Sequence, residues 1–329
     1  MLPLQEEKLK QFWYPVIPIN HLDNQPCAFQ LLGIPLVLWR DFQGKTRAAL
    51  DQCCHRSAKL SLGQVSSEGY LQCAYHGWQF EGTGKCCFIP QQPDEKIPAH
   101  FCLKTFPCQE KYGYVWVCLS QIAIAPIPDF EQEEDPQFRR FHGFYEEWQC
   151  AAIRYIENAL DNSHHYFVHR DLLQTTSPIP DPIEVIAETP TNFRFSIPLV
   201  FANNPHLSQT IQDQDTTLIN QRLTDWYAPF GVRLTMQWPN GLSHHIISFV
   251  VPKDNQKTQF IRFYFRNDVV SPEQDQAVID FDRKLTNQDR RIMESINYDS
   301  PLDTLSECSM PVDKPILLMR RKLAKLLSY

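Results

Sequence analysis

A chain of 329 residues is long for a single core, so two domains are expected. Its 43% hydrophobic and 21% charged content is that of a globular protein rather than a disordered one, and a net charge of −7 excludes the basic footprint of a nucleic-acid binder. No stretch approaches the roughly 18 apolar residues of a membrane span, no apolar signal core follows Met1-Leu2-Pro3-Leu4-Gln5-Glu6-Glu7-Lys8, and eleven cysteines, an odd number, favour metal ligation over a disulfide framework. The expected compartment is the cytoplasm.

Residues 1–120 read as a small all-β domain. Phe12–Pro18, Ile34–Arg40 and Tyr112–Cys118 are apolar, aromatic or β-branched runs, broken by turn chemistry such as Asp41-Phe42-Gln43-Gly44. Two loops carry the strongest signal in the chain. Cys53-Cys54-His55-Arg56 and Cys73-Ala74-Tyr75-His76-Gly77-Trp78 each offer one thiolate and one imidazole, with seventeen residues between His55 and Cys73. Two Cys and two His also suit tetrahedral zinc, but zinc fingers usually keep the two Cys together and the two His together. Interleaving them suits a [2Fe-2S] cluster in which one iron takes both thiolates and the other both imidazoles. Imidazole ligation raises the potential to roughly −150 to +300 mV, so such a cluster can take an electron from a ferredoxin-like donor and pass it on. Cys86, Cys87, Cys102, Cys108, Cys118 and Cys150 read as packing residues, and Cys54 as another.

Residues 121–148, with Pro126, Pro128 and the acidic run Glu131-Gln132-Glu133-Glu134-Asp135, read as a solvated connector. Residues 149–329 form the expected second domain. Its first landmark is the stretch from Glu157 to His169, which holds His164, His165, His169, Glu157 and Asp161 beside Ile153, Ile156, Ala159 and Leu160. Two imidazoles and a carboxylate on one face of an iron leave positions open for oxygen chemistry. In an unbroken helix His165 and His169, four apart, share a face, whereas His164 and His169, five apart, diverge by about 140°. Asp161 and His164 are three apart and can share a face.

A Pro- and Thr-rich loop from Thr175 to Pro190 follows, and then long strands: Phe193–Ile197, Val232–Met236 and Ser243–Val251 around a Pro239-Asn240-Gly241 hairpin turn, and Phe260–Phe265. Strands followed by a long helix make the domain α+β. That helix opens at Ser271-Pro272-Glu273-Gln274, an N-cap serine with proline first and glutamine three residues on. Val278, Phe281, Leu285, Ile292 and Ile296 keep helical spacing within about 80° of Asp289. A carboxylate bordering a buried stripe is costly unless it is paired or metal-bound. The basic amphipathic tail Ile316–Leu327 is expected to dock on its own protein rather than on a membrane. Trp226, Tyr227, Phe230, Met236 and Trp238 are candidate cavity walls, although aromatic strand residues are more often plain core.

The order Cys-x-His, seventeen residues, Cys-x-x-His-Gly-Trp, followed by Glu157-Asn158 and Asp161-x-x-His164-x4-His169, resembles the catalytic (alpha) subunit of the Rieske non-heme iron oxygenases, in particular the vanillate demethylase and pheophorbide oxygenase-like group. Cys54 and Ala74 stand where that family often has proline. The resemblance implies a Rieske [2Fe-2S] domain on Cys53, His55, Cys73 and His76, and a helix-grip (START-like) catalytic domain. It implies a mononuclear Fe(II) on His164, His169 and Asp289, with the helix broken between the two histidines; His165 is the alternative ligand and Asp282 the alternative acid. It gives Asp161 the role of a bridge between the catalytic iron and a Rieske histidine of a neighbouring subunit in a homotrimer. The expected activity is hydroxylation or O/N-demethylation of a small organic substrate with O2 as co-substrate. No Gly-x-Gly-x-x-Gly follows a strand, so NAD(P)H is expected to act only through a separate ferredoxin or flavin-containing reductase. A Rieske electron carrier without oxygenase chemistry is the rival reading, and it leaves residues 151–329 without a purpose.

Overall fold

The computed structural model describes residues 6–23, 25–173, 177–202, 217–238, 241–268, 271–298, 302 and 307–327; for 198–202, 217–221 and 272 it describes the backbone alone. The chain divides into two compact units, Leu4–Ile127 and Pro128–Tyr329.

The first unit is built from three small antiparallel sheets. β1 (Trp13–Pro18), β11 (Tyr114–Cys118) and β10 (Cys108–Lys111) form one; β2 (Cys27–Leu31), β3 (Ile34–Arg40), β4 (Thr46–Leu50) and β9 (Thr105–Phe106) form the second; and β5 (Gln64–Val65), β6 (Leu71–Gln72), β7 (Gln79–Phe80) and β8 (Cys86–Phe88) form the third. β2 and β3 are joined by Leu32 and Gly33, both in the left-handed region, which is the tight turn that matches strand twist. The two Cys-His loops leave β4 and β6. Their cysteines belong to one buried cluster with Trp39, Leu60, Leu71 and Phe80. Cys86, Cys118 and Cys150 are buried as expected, whereas Cys54 and Cys102 are exposed. Cys54 lies on a turn whose neighbours Arg56 and Ser57 also face solvent, so its place beside a buried ligand does not bury it.

The second unit is a seven-stranded antiparallel sheet in the order β12-β18-β17-β16-β15-β14-β13. Its strands are β12 (Arg139–Trp148), β13 (Glu184–Glu188), β14 (Asn192–Ala202), β15 (Thr217–Tyr227), β16 (Gly231–Gln237), β17 (Ser243–Pro252) and β18 (Thr258–Arg266). The end of the stretch read as a connector is therefore the ten-residue strand β12, with Phe144 and Trp148 buried. A register shift between His142 and Phe144 breaks its alternation, which hid it in the sequence. Of the expected hairpin turn, Pro239 and Asn240 lie outside the described residues, as do Thr175 and Thr176 of the loop before β13.

Cross-strand register explains the concave face. Arg222, Met236, His244 and Arg266 align as one row across β15–β18, and Thr224, Leu234, Ile246 and Tyr264 as the next. Same-face residues two apart on each strand point together, so these rows form one wall. Phe263 and Phe265, pointing the other way, pack on Phe130. Against the concave wall lie α1 (Ala152–Leu160), the short turns α2 (His165–Val168) and α3 (Arg170–Leu173), and α4 (Pro272–Met293). α4 begins as the sequence predicts, with the Gln274 side chain accepting the Ser271 N–H at 3.2 Å. Its buried line differs from the predicted stripe. Asp282, Thr286 and Met293 are buried, while Ile292 is 42% and Ile296 37% exposed. The helix can bury a polar line because Arg262 neutralises it, as described below. α5 (Lys314–Leu327) docks on its own unit. Met319, Leu323 and Leu327 are buried, Arg320 lies 2.6 Å from Glu157 on α1, and Lys322 lies 2.8 Å from Glu188. Among the described residues no helix is long and apolar enough to cross a membrane.

Candidate active site

The two loops of the first unit fold alike. The Ser57 N–H donates to the Cys53 carbonyl, and the Gly77 N–H to the Cys73 carbonyl, each at 3.0 Å. Ser57 and Gly77 both have positive φ, at 57° and 72°, so each loop reverses right after its histidine. Cys53 and Cys73 are buried, while His55 and His76 are half-buried with ring centroids 4.6 Å apart. His55 stacks on Trp78 at 4.5 Å, and its buried Nδ1 has no hydrogen-bond partner. Burial, with Cys73 alongside, pushes the Cys53 thiol up to about 12, so an iron must displace its proton for the thiolate to form. Inner thiols and outer imidazoles, one with an orphaned ring nitrogen, fit a cluster ligated by sulfur on one iron and nitrogen on the other.

In the second unit the histidine stretch is broken, before His164 and again at His169. α1 ends at Leu160, His164 caps α2, and His169, at φ −111° and ψ 16°, interrupts the path from α2 to α3. The break turns both rings onto Asp289 of α4. Nε2 of His169 and of His164 lie 3.1 and 3.6 Å from Asp289 Oδ1, and one donor atom from each of the three side chains falls within 4.8 Å of the others. The far side of each ring is occupied. His164 Nδ1 is 3.0 Å from Asp161 Oδ2, and His169 Nδ1 is 2.9 Å from Gln288 Oε1. A neutral ring that donates Nδ1–H to such an oxygen presents an Nε2 lone pair, the tautomer that ligates metal. Asp289 Oδ1 is buried and has no aligned donor. Burial raises the Asp289 carboxyl, but His169 and His164 hold it below the ordinary carboxylate range. Two imidazole nitrogens and a carboxylate oxygen converging on one point fit a divalent iron.

His165 is not part of this set. Its Nε2 lies 3.2 Å from Arg222 Nη1, and burial, with Arg222 next, pushes it well below the usual imidazole range. Asp282, the alternative acid, is bound by Arg262 Nη1 at 2.7 and 2.8 Å, with Tyr264 as a further donor. Glu157 turns away to Arg154 and Arg320. Gln288 escaped the sequence reading; nothing but its place beside Asp289 marks it. Asp161 stands where that reading put it, on His164, and also accepts the Ser163 and His164 backbone N–H groups.

The triad opens on a cavity of about 170 Å³. Leu234, Met236, Ile246, Val278, Phe281 and Leu285 supply apolar wall, and Arg222, Trp238 and His244 polar wall. Of the candidate wall residues, Met236 and Trp238 take part. Trp226 and Phe230 are core; Trp226 packs on Phe193 at 5.5 Å and donates its Nε1–H to the Pro229 carbonyl. Tyr227, whose ring packs on Phe130, is not among the lining residues.

Known proteins match both units. The Rieske [2Fe-2S] domain family matches residues 12–107, and the vanillate O-demethylase oxygenase C-terminal domain family matches residues 148–328. The chain belongs to the Rieske oxygenases. Methylxanthine N1-demethylase NdmA of Pseudomonas putida is 30% identical over 98% of this chain and 90% of its own, and the N3-demethylase NdmB of the same organism is 30% identical over 97% and 90%. The solved structure of NdmA with caffeine superposes with a TM-score of 0.85 at 27% identity, over 98% of this chain and 92% of that one. This Rieske oxygenase is an oxidoreductase with a catalytic domain of its own, rather than an electron carrier alone.

Proposed function

We propose that this Rieske oxygenase hydroxylates or O/N-demethylates a small organic substrate with O2 at a mononuclear iron held by His164, His169 and Asp289. A single observation carries the reading: two imidazoles, each locked by an oxygen on Nδ1, aim Nε2 at one carboxylate at the head of a largely apolar cavity. Bound there, Fe(II) supplies dioxygen chemistry at the positions left open by two His and one carboxylate. Asp161 fixes the ring of His164 and Gln288 that of His169. The apolar wall keeps bulk water from the reacting carbon and orients the substrate.

Cys53 and Cys73 would hold one iron of the [2Fe-2S] cluster, and His55 and His76 the other. Electrons would enter from a separate reductase with ferredoxin or flavin, itself fed by NAD(P)H. Asp161 would face a Rieske histidine of the neighbouring subunit in a homotrimer, and the cytoplasm would be the place of action. The N- and O-demethylase activities named for the relatives favour methyl removal. The test is a product screen with ¹⁸O2 and a reconstituted donor. Labelled hydroxylated product or formaldehyde is expected from the wild type and none from Asp289→Ala, whose Rieske spectrum should persist. Full turnover by Asp289→Ala would sink the proposal.

A further inference from the structure

Arg222 differs from the other buried arginines described around the cavity and beneath α1. Arg154 and Arg320 pair with Glu157 and Glu307, Arg262 with Asp282, and Arg266, which also lines the cavity, with Asp268. Arg222, 7% exposed, has no carboxylate within ion-pair distance among the described residues. Among the described residues its Nη1 meets the neutral His165 alone, and its buried Nε meets nothing. Burial pulls the guanidinium down to about 10, with Asp161 and Asp289 acting the other way, so it remains a cation at neutral pH. A buried uncompensated charge is among the costliest features a fold can retain. Once Asp289 is spent on a metal dication, the surroundings of Arg222 become less negative still.

Arg222 lines the cavity, in the same cross-strand row as His244. Two more buried wall groups lack partners: His244 Nε2 and Trp238 Nε1, whose rings lie 4.8 Å apart. Burial pushes His244 well below the usual imidazole range, so it is a neutral hydrogen-bonding group. The adjacent row offers Leu234 and Ile246, opposite Phe281 and Leu285 of α4.

Resting on the oxygenase reading, we infer that the substrate is a compact carboxylate whose anionic oxygens pair with Arg222 while its apolar body lies between the Leu234–Ile246 row and α4. The ligand then supplies the counter-charge that the fold withholds, and Trp238 and His244 hydrogen-bond its second polar group. Neutral molecules of the same shape leave the guanidinium unpaired and bind weakly.

Anaerobic calorimetric titration of the iron-loaded enzyme tests this without turnover. The probes are benzoate, phenylacetate and 4-methoxybenzoate, each against its neutral amide. The carboxylates should bind about 10- to 100-fold tighter than the amides, the range of a charge-assisted hydrogen bond. Arg222→Gln should erase that ratio and Arg222→Lys keep part of it. Arg222→Met, which removes an unpaired buried charge, should leave the ligand-free Tm unchanged or higher. Equal binding of acid and amide, no binding of any of the three carboxylates, or a lower ligand-free Tm in Arg222→Met overturns the inference. A carboxylate preference without any oxygenated product would leave the anion site standing and sink the oxygenase reading. Turnover of a neutral substrate by Arg222→Gln would do the reverse.

Discussion

Asp161→Asn is the sharpest probe of how the histidine pair is held. Asp161 Oδ2 takes both the His164 ring nitrogen at 3.0 Å and the His164 backbone N–H at 3.1 Å, while Oδ1 takes the Ser163 N–H at 2.8 Å. Both oxygens are used as acceptors, so an amide must put its NH2 against a donor whichever way it turns. If it faces the ring, His164 loses a charge-assisted bond worth about 1.5–3 kcal/mol and the fixed tautomer with it. At 1.4 kcal/mol per decade, that is a metal affinity weakened roughly 10- to 100-fold, the usual effect of losing a ligand's carboxylate partner. The assay is anaerobic Fe(II) titration against a competing chelator, with the visible spectrum of the cluster as an internal reference for the intact first unit. An iron dissociation constant within about threefold of wild type would refute the argument that Asp161 sets the ligand.

Cys53→Ser or Cys73→Ser should bleach the visible spectrum by removing a thiolate, while exposed Cys54→Ser should stay coloured; the reverse pattern in absorbance would void the ligand assignment. Asp282→Asn should cost about 3–5 kcal/mol by leaving Arg262 without its carboxylate, a Tm loss of about 10 °C by calorimetry, yet iron content should hold. Iron loss with an unchanged Tm would instead make Asp282 the ligand. Arg154, then Arg320, hold Glu307 down to about 2 from an ordinary 4.5, so its contribution is present above about pH 4.5 and is lost as pH falls towards 2. Its side chain is 42% exposed, so the effect is no more than about 1 kcal/mol, read as a wild-type advantage over Glu307→Gln that shrinks below pH 4.5 in urea melts. Co-expressed His55→Ala and His164→Ala chains, each inactive alone, should recover partial turnover if electrons cross between subunits; mixed assemblies without activity would place the route within one chain.

What the sequence disclosed was whatever is written in short spacings. Each Cys-His loop is a local turn, so its ligands are adjacent in the chain as well as in space. The start of α4 was legible because a capping box is a four-residue event. Asp289 was found from its neighbours on the helix, but the stripe that pointed to it was partly misjudged. Ile292 and Ile296 face solvent, and Asp282 is buried because Arg262, on a strand remote in sequence, pays its desolvation. Whether His164 or His165 turns inward was not decidable from helical spacing, since the answer lies in where α1 stops and α2 restarts. Gln288 and Arg222 were invisible for a related reason. A glutamine in a helix and an arginine in a strand gain meaning only when register and packing set them against a ring or an empty wall. Trp226 was grouped with Trp238 by composition, and only the fold separates core from cavity.

The order of strands in the second unit also governs how the protein is made. Among the described residues β12, the first strand of this unit to be synthesised, pairs in the sheet with β18, the last, alone. On the ribosome, β12 and the histidine stretch after it emerge well before the strands and the helix that complete them. A first unit with its own sheets can fold and receive its cluster while the second is still an open chain. The nascent imidazoles, by contrast, have no Asp289 to share an ion with, and Glu157 has no Arg320 until the final helix is released. Sheet closure by such distant partners is slow. If His164, His169 and Asp289 hold the iron, it can settle there only once α4 has been made, and chains cut short anywhere before α4 should be red-brown yet catalytically empty. Colour during expression reports the first unit alone, and iron supplied after translation has stopped should still raise the active fraction.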